Sequence, residues 1–197
     1  MMKLFNNNQF RILEAFLRNL GKQLFMREIG RLSGLDIKII SRELKLLLEN
    51  NILDYEQRGK IKLYHVKNTI ESETMIVATE AYKTREFLDM YDELKLPLIG
   101  LNKKTDFIIF GSYAKGSENK NSDVDIVIFS SKSSILEALL EKFQKKLHKQ
   151  YIKFEEFSLL YEKNSVLTRE ILRSHVLFGK HKEIAQMVLR WKELPGA

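Results

Sequence analysis

The sequence predicts an α+β protein in which two basic units flank an acidic helical stretch. Two observations point there. Residues 1–67 carry three apolar stripes at helical spacing followed by two short β-type runs, whereas residues 101–197 alternate strand-like and helix-like stretches. The second pattern is that of a mixed α/β sheet. Charge divides the 197 residues in the same way: the net +7 separates into +6 over residues 1–67, −4 over 68–100 and +5 over 101–197. The expected division is therefore an N-terminal unit over 1–68, a linker helix over 69–99 and a C-terminal unit over 100–197.

In the first unit, Phe10, Ile12, Leu13, Phe16, Leu17 and Leu20 recur at helical spacing before Gly21. Met26 to Leu32 reads as a short helix, and Ser33-Gly34 as a turn. Asp36 is a suitable N-cap for a third helix reaching about Asn50, with Ile39, Ile40, Leu44, Leu47 and Leu48 as its core stripe. Ile52–Tyr55 and Ile61–Val66 read as two strands around Gln57-Arg58-Gly59. Residues 70–94 read as one long helix ended by Pro97, a residue that cannot donate to the helical ladder. The third segment opens with the strand Phe107–Phe110 and a turn or short helix from Gly111 to about Glu118. A strand over Asp123–Phe129 and a helix from Ser133 to about Lys149 come next. After these come a strand over about Gln150–Phe154, a helix over Ser165–Arg173 and a final helix over His181–Lys192.

Composition excludes several classes of protein. An apolar fraction of 44% supplies a real core, so the chain is not globally disordered. No Cys means no disulfide framework, thiolate metal site or Cys nucleophile. No apolar run approaches the ~18 residues of a membrane span, and the charges at Lys3, Arg11, Glu14 and Arg18 are unlike a signal peptide. A cytoplasmic setting without membrane contact is expected. The basic balance permits anionic partners.

Chemistry concentrates in Gly111-Ser112-Tyr113-Ala114-Lys115-Gly116, followed by Ser122-Asp123-Val124-Asp125. Gly111 closes a buried strand and permits a tight turn with close backbone approach. Ser112 brings a hydroxyl to the start of a helical turn, where free N–H groups can meet phosphate oxygens. Asp123 and Asp125, two apart on a strand, point to one face roughly 7 Å apart. Two such carboxylates repel unless a cation stands between them, and hard oxygen donors suit Mg²⁺ shared with substrate phosphates.

The order of elements over about residues 8–67 resembles a winged helix-turn-helix, and the motif over 111–125 resembles the DNA polymerase β-type nucleotidyltransferase signature. Seven defined positions of that signature fall within fifteen residues. The segment from about 100 to 180 is similar to the minimal members of that superfamily. The resemblance implies a winged helix domain, a linker helix and a nucleotidyltransferase-like mixed α/β domain. It also implies transfer of a nucleotidyl group from a nucleoside triphosphate with Mg²⁺ or Mn²⁺. In that scheme Asp123 and Asp125 are the metal-binding and catalytic pair, and Gly111, Ser112, Lys115 and Ser122 contact the nucleotide. Active members usually add a third acid on a later strand. Here that strand reads Lys149–Phe154 without an acid, and Glu155 and Glu156 follow it.

For double-stranded DNA, the winged-helix resemblance nominates Lys38, Ser41, Arg42 and Lys45 on one face of the third helix, and Arg58, Lys60 and Lys62 on the wing. Such modules read two half-sites, which suggests a homodimer. The acceptor is open, and a protein such as a partner toxin is one reading. The rival reading is a non-catalytic transcriptional regulator or antitoxin whose transferase-like domain binds nucleotide or a partner protein. The four histidines, His65, His148, His175 and His181, have no metal-site spacing and read as structural. Arg169 and His175 are spaced as in an Arg–His nuclease motif but fall at a helix end and a strand. Lys142, Lys145, Lys146 and Lys149 read as the solvated face of the helix from Ser133.

Overall fold

A computed structural model describes residues 6–163 and 165–190. The described residues form two compact units, one built from residues 6–79 together with 182–190, the other from residues 80–181.

In the first unit the Asn6 side chain accepts from the amides of Asn8 and Gln9 at 3.0 and 3.1 Å. It satisfies two of the donors that a helix start leaves free and opens α1 (Asn7–Leu17). The two-residue strand β1 (Leu24–Phe25) leads into α2 (Met26–Ser33), which ends where Gly34 adopts φ +64°. Asp36 caps α3 (Ile37–Glu49), as its sequence predicts, by accepting from the Lys38 amide at 2.8 Å. β2 (Leu53–Arg58) and β3 (Ile61–Val66) form an antiparallel hairpin turning on Gly59-Lys60. β1 adds to it, giving the sheet order β1-β3-β2. Ile12, Leu13, Ile29, Ile40, Leu44 and Leu47 are at most 1% exposed and form the core between the helices and this sheet.

One charge lies inside that core. Glu43 is 1% exposed and accepts from Gln9 Nε2 at 3.1 Å and Asn6 Nδ2 at 3.2 Å. It also accepts two bonds from the Arg42 guanidinium at 3.0 and 2.7 Å. Burial pushes the carboxyl up, but these hydrogen bonds and the Arg42 charge outweigh it and leave the group below its ordinary value. A lowered folded value means that the stabilisation is present above the unfolded pKa and is lost as pH falls through the folded one. Glu43→Ala leaves the Gln9 amide buried without its acceptor and is expected to cost about 2–3 kcal/mol. Urea unfolding at neutral pH would measure this. The variant should also lose less of its remaining stability on acidification than the parent chain.

The chain passes into the second unit within α4 (Ile70–Met90). The stretch expected to be one helix ended by Pro97 is two helices: Tyr91 leaves helical geometry, and α5 (Asp92–Asn102) contains Pro97. Proline forfeits one bond, to the carbonyl four residues back. Burial of Leu94, Leu98 and Leu101, each at most 1% exposed, offsets that loss.

The remaining elements are β4 (Phe107–Phe110), α6 (Gly111–Lys115), β5 (Val124–Ile128), α7 (Ser134–Leu140), β6 (Leu147–Tyr151), α8 (Phe154–Glu162), α9 (Val166–Arg173), β7 (His175–Phe178) and α10 (His181–Leu189). The expected end of the last helix at Lys192 lies outside the described residues. The sheet runs β6-β5-β4-β7, with β4 antiparallel to both neighbours and β5 parallel to β6. Phe107, Ile109, Val124, Ile126, Ile128 and Phe178 pack on one face with side chains of α5 and α7. Ile108, Val127 and Leu177 fill the other and are at most 1% exposed. Both faces are therefore covered, which explains why β4 and β5 read as continuous apolar runs.

The helix expected from Ser133 to Lys149 stops at Leu140, and the strand expected over 150–154 lies at Leu147–Tyr151. Leu136, Leu140, Phe143 and Leu147 recur at intervals of four, three and four, a helical period that continues across the turn into an edge strand. Lys149 is correspondingly not on a helix; its ammonium donates to Glu137 at 2.7 Å. Among the described residues no helix is long and apolar enough to cross a membrane.

Candidate active site

The motif residues meet where β4 ends and β5 begins. Phe110 pairs with Asp125, so Gly111, the next residue, stands beside the Asp125 side chain. Gly111 has φ +71°, and a Cβ built on it would lie 2.1 Å from Asp125 Oδ2. Glycine is required there twice over, by backbone conformation and by space. The space that a side chain at 111 would fill is taken by the carboxylate of Asp125. α6 then runs for five residues to Gly116, whose φ of +64° ends it, and the Ser117 amide donates to the Ser112 carbonyl at 3.1 Å. Tyr113 is buried and anchors this turn in the core, Ser112 is half-buried, and Lys115 is exposed at the far end of the turn.

The loop after α6 delivers the carboxylates. The Ser122 hydroxyl accepts from the Asn119 amide at 2.9 Å and closes that loop. The Val124 amide donates to the Lys146 carbonyl at 2.9 Å, which aligns the start of β5 with β6. Val124 and Ile126 point into the core at 0% exposed, which sends Asp123 and Asp125 to the opposite face. Their side chains are 36% and 27% exposed.

Two side chains of β6 and its approach complete the surroundings. Lys146 Nζ donates to Asp123 Oδ2 at 2.8 Å, and this hydrogen bond and charge raise the ammonium above its ordinary pKa. His148, register partner of Asp125, places Nδ1 3.0 Å from Asp125 Oδ1. By sequence His148 reads as structural and Lys146 as a solvated helix residue. Both instead face the aspartates. No local signal marks them, because Leu-His-Lys-Gln-Tyr shows no apolar alternation and burial along β6 does not alternate. Glu155 and Glu156, expected after a strand, lie in the first turn of α8 and not on β6. No acid therefore stands on the strand beside Asp125.

The donor chemistry suits a divalent cation: two hard carboxylates share one face, both partly open to solvent. Among the described residues no group of three or more His, Asp or Glu is arranged to hold a metal ion. Any such ion would need further ligands from the substrate.

The residues nominated for DNA all lie in the first unit and are exposed: Lys38, Ser41, Arg42 and Lys45 on α3, with Arg58, Lys60 and Lys62 on the hairpin. Arg42 is committed to Glu43, Arg58 lies 3.2 Å from Glu56, and Lys62 sits 4.1 Å over the Tyr55 ring.

Residues 92–187 match the nucleotidyltransferase domain family. The matched segment runs from α5 into α10, contains the whole four-stranded sheet, and carries Gly111, Ser112, Asp123 and Asp125 where β4 and β5 meet. It supports nucleotidyl transfer as the general chemistry of this nucleotidyltransferase-like segment. No curated protein and no solved structure matches the chain.

Proposed function

We propose that the chain is a Mg²⁺- or Mn²⁺-dependent nucleotidyltransferase with a DNA-binding winged helix in its first unit. The observation that carries the enzymatic reading is the close approach of Gly111 to Asp125 at the mouth of a strand pair. It supports a phosphate-binding turn held directly beside two carboxylates. Asp123 and Asp125 would hold the cation, which when bound neutralises the triphosphate and favours departure of pyrophosphate. The N–H groups that open α6 have no partners within the helix, and with the Ser112 hydroxyl they can receive triphosphate oxygens. Lys115 and Lys146 add positive charge around that anion, and Ser122 sets the loop that brings Asp123 into place.

The acceptor in this reading is a protein or a nucleic acid. The test is transfer from an NTP labelled at its α-phosphate: the full chain labels an acceptor, and Asp123→Ala/Asp125→Ala does not. Equal labelling by the double variant would remove the assignment.

A second reading is supported by the partners of the two aspartates: Lys146 donates to Asp123 and His148 stands 3.0 Å from Asp125, with no acid on β6. In that case the segment binds nucleotide or a partner without turnover, as a regulator or antitoxin would. No labelling of any acceptor, together with retained NTP binding, would favour it.

For the DNA-binding part, the exposed basic face of α3 and the basic hairpin support binding to backbone phosphates. Lys60→Ala/Lys62→Ala in the full chain should weaken duplex binding and lower the slope of log affinity against log salt by about one for each phosphate no longer neutralised. An unchanged slope in a fluorescence-anisotropy titration would count against the wing.

A further inference from the structure

We propose that His148 is itself a metal-ligating residue, so that Asp125 and His148 bind one divalent cation through a mixed oxygen–nitrogen edge. This rests on the nucleotidyltransferase reading above and goes beyond it in naming a side chain outside the motif and a metal preference. The backbone determines the placement. β6 runs parallel to β5 with His148 opposite Asp125, and cross-strand partners share a face, so the imidazole and the carboxylate project to the same side. Their nearest atoms, Nδ1 and Oδ1, are 3.0 Å apart. Adjacent ligands on an octahedral ion with bonds of about 2.1 Å lie about 3 Å from each other. The pair is thus spaced to share an ion without moving either strand.

Exposure agrees with this placement. The His148 side chain is 63% exposed and that of Asp125 27%, so a hydrated ion carrying phosphate ligands can reach both. The neighbouring row behaves differently: Lys146 meets Asp123 with an ammonium, which supplies charge but no lone pair. Of these two side chains facing the aspartates, His148 alone can therefore ligate.

A neutral imidazole donates a softer electron pair than a carboxylate. Replacing an oxygen ligand by nitrogen moves preference from Mg²⁺ toward first-row transition ions. The chain should accordingly hold Mn²⁺ or Co²⁺ more tightly than Mg²⁺ when a triphosphate completes the shell.

The experiment uses the full chain with Mn²⁺ and inorganic triphosphate, followed by pulsed electron paramagnetic resonance. The parent chain should show ¹⁴N coupling on bound Mn²⁺, and His148→Ala should lose both the coupling and about tenfold or more in Mn²⁺ affinity. His148→Asp should restore affinity without the coupling and let Mg²⁺ compete more effectively. If the parent chain binds Mn²⁺ without ¹⁴N coupling and His148→Ala binds it equally, the imidazole is only a hydrogen-bond partner of Asp125. That result overturns this proposal and leaves the nucleotidyltransferase reading standing. If Asp125→Ala also binds Mn²⁺ like the parent, the metal reading of the whole site falls with it.

Discussion

Gly111→Ala is expected to lower nucleotidyl transfer about 100-fold, because misplacing a reacting group by about 1 Å can cost that much. The added methyl would lie 2.1 Å from Asp125 Oδ2, so either the carboxylate or the β4–α6 junction must shift. Alanine at φ +71° adds a backbone cost of about 1–2 kcal/mol. In a chain of this size that corresponds to a fall in melting temperature of about 2–4 °C for each kcal/mol. Gly100→Ala is the matching control. It lies inside α5 with nothing within 4 Å of the added methyl and no positive φ. This variant should be neutral or slightly more stable and keep full activity. Melting curves and transfer rates for the two variants together separate damage to the site from damage to the fold.

Asp125→Asn should lower transfer by about 10²–10³-fold while leaving the unfolding transition close to the parent value, since removal of a charge-stabilising group typically costs that much in rate. The substitution keeps volume and shape beside Gly111, so packing is preserved. It removes the negative charge opposite His148 and leaves a neutral amide oxygen, a weaker cation ligand than a carboxylate. Asp123→Asn should fall in the same direction. Its side chain is more exposed, and its partner Lys146 is 82% exposed and free to adjust. Near-parent activity in both variants, with unfolding also unchanged, would mean that neither carboxylate is used.

Much of the candidate site and less of its frame can be read from the residues alone. Gly111, Ser112, Asp123 and Asp125 are legible because local chemistry dictates each of them. A glycine is forced by a positive φ, and two acids at spacing two must share a strand face. Phe107–Phe110 is legible to the residue because a strand covered on both sides leaves an unbroken apolar run. β1 is not, since two residues present no alternation to read. The extent of α7 is misread because Phe143 and Leu147 prolong its period by chance across a turn. The difference has a functional consequence. Moving β6 from 150–154 to Leu147–Tyr151 puts His148 beside Asp125 and leaves Glu155 and Glu156 on α8. Side-chain neighbours across a parallel pair depend on register, and register is set by tertiary packing that no single segment records. The buried Glu43 is hidden for a similar reason, because its partners Asn6 and Gln9 come from α1 and its cap, far away in sequence.

The most direct measurement compares two labels on the same nucleotide. The full chain is incubated with Mg²⁺ or Mn²⁺ and NTP carrying the label on either the α- or the γ-phosphate, and acceptor and released phosphates are resolved. Nucleotidyl transfer sends the α-label into the acceptor while the γ-label leaves in pyrophosphate, and Asp123→Ala/Asp125→Ala should abolish both. Entry of the γ-label into the acceptor, or α-label transfer that survives the double substitution, would contradict it.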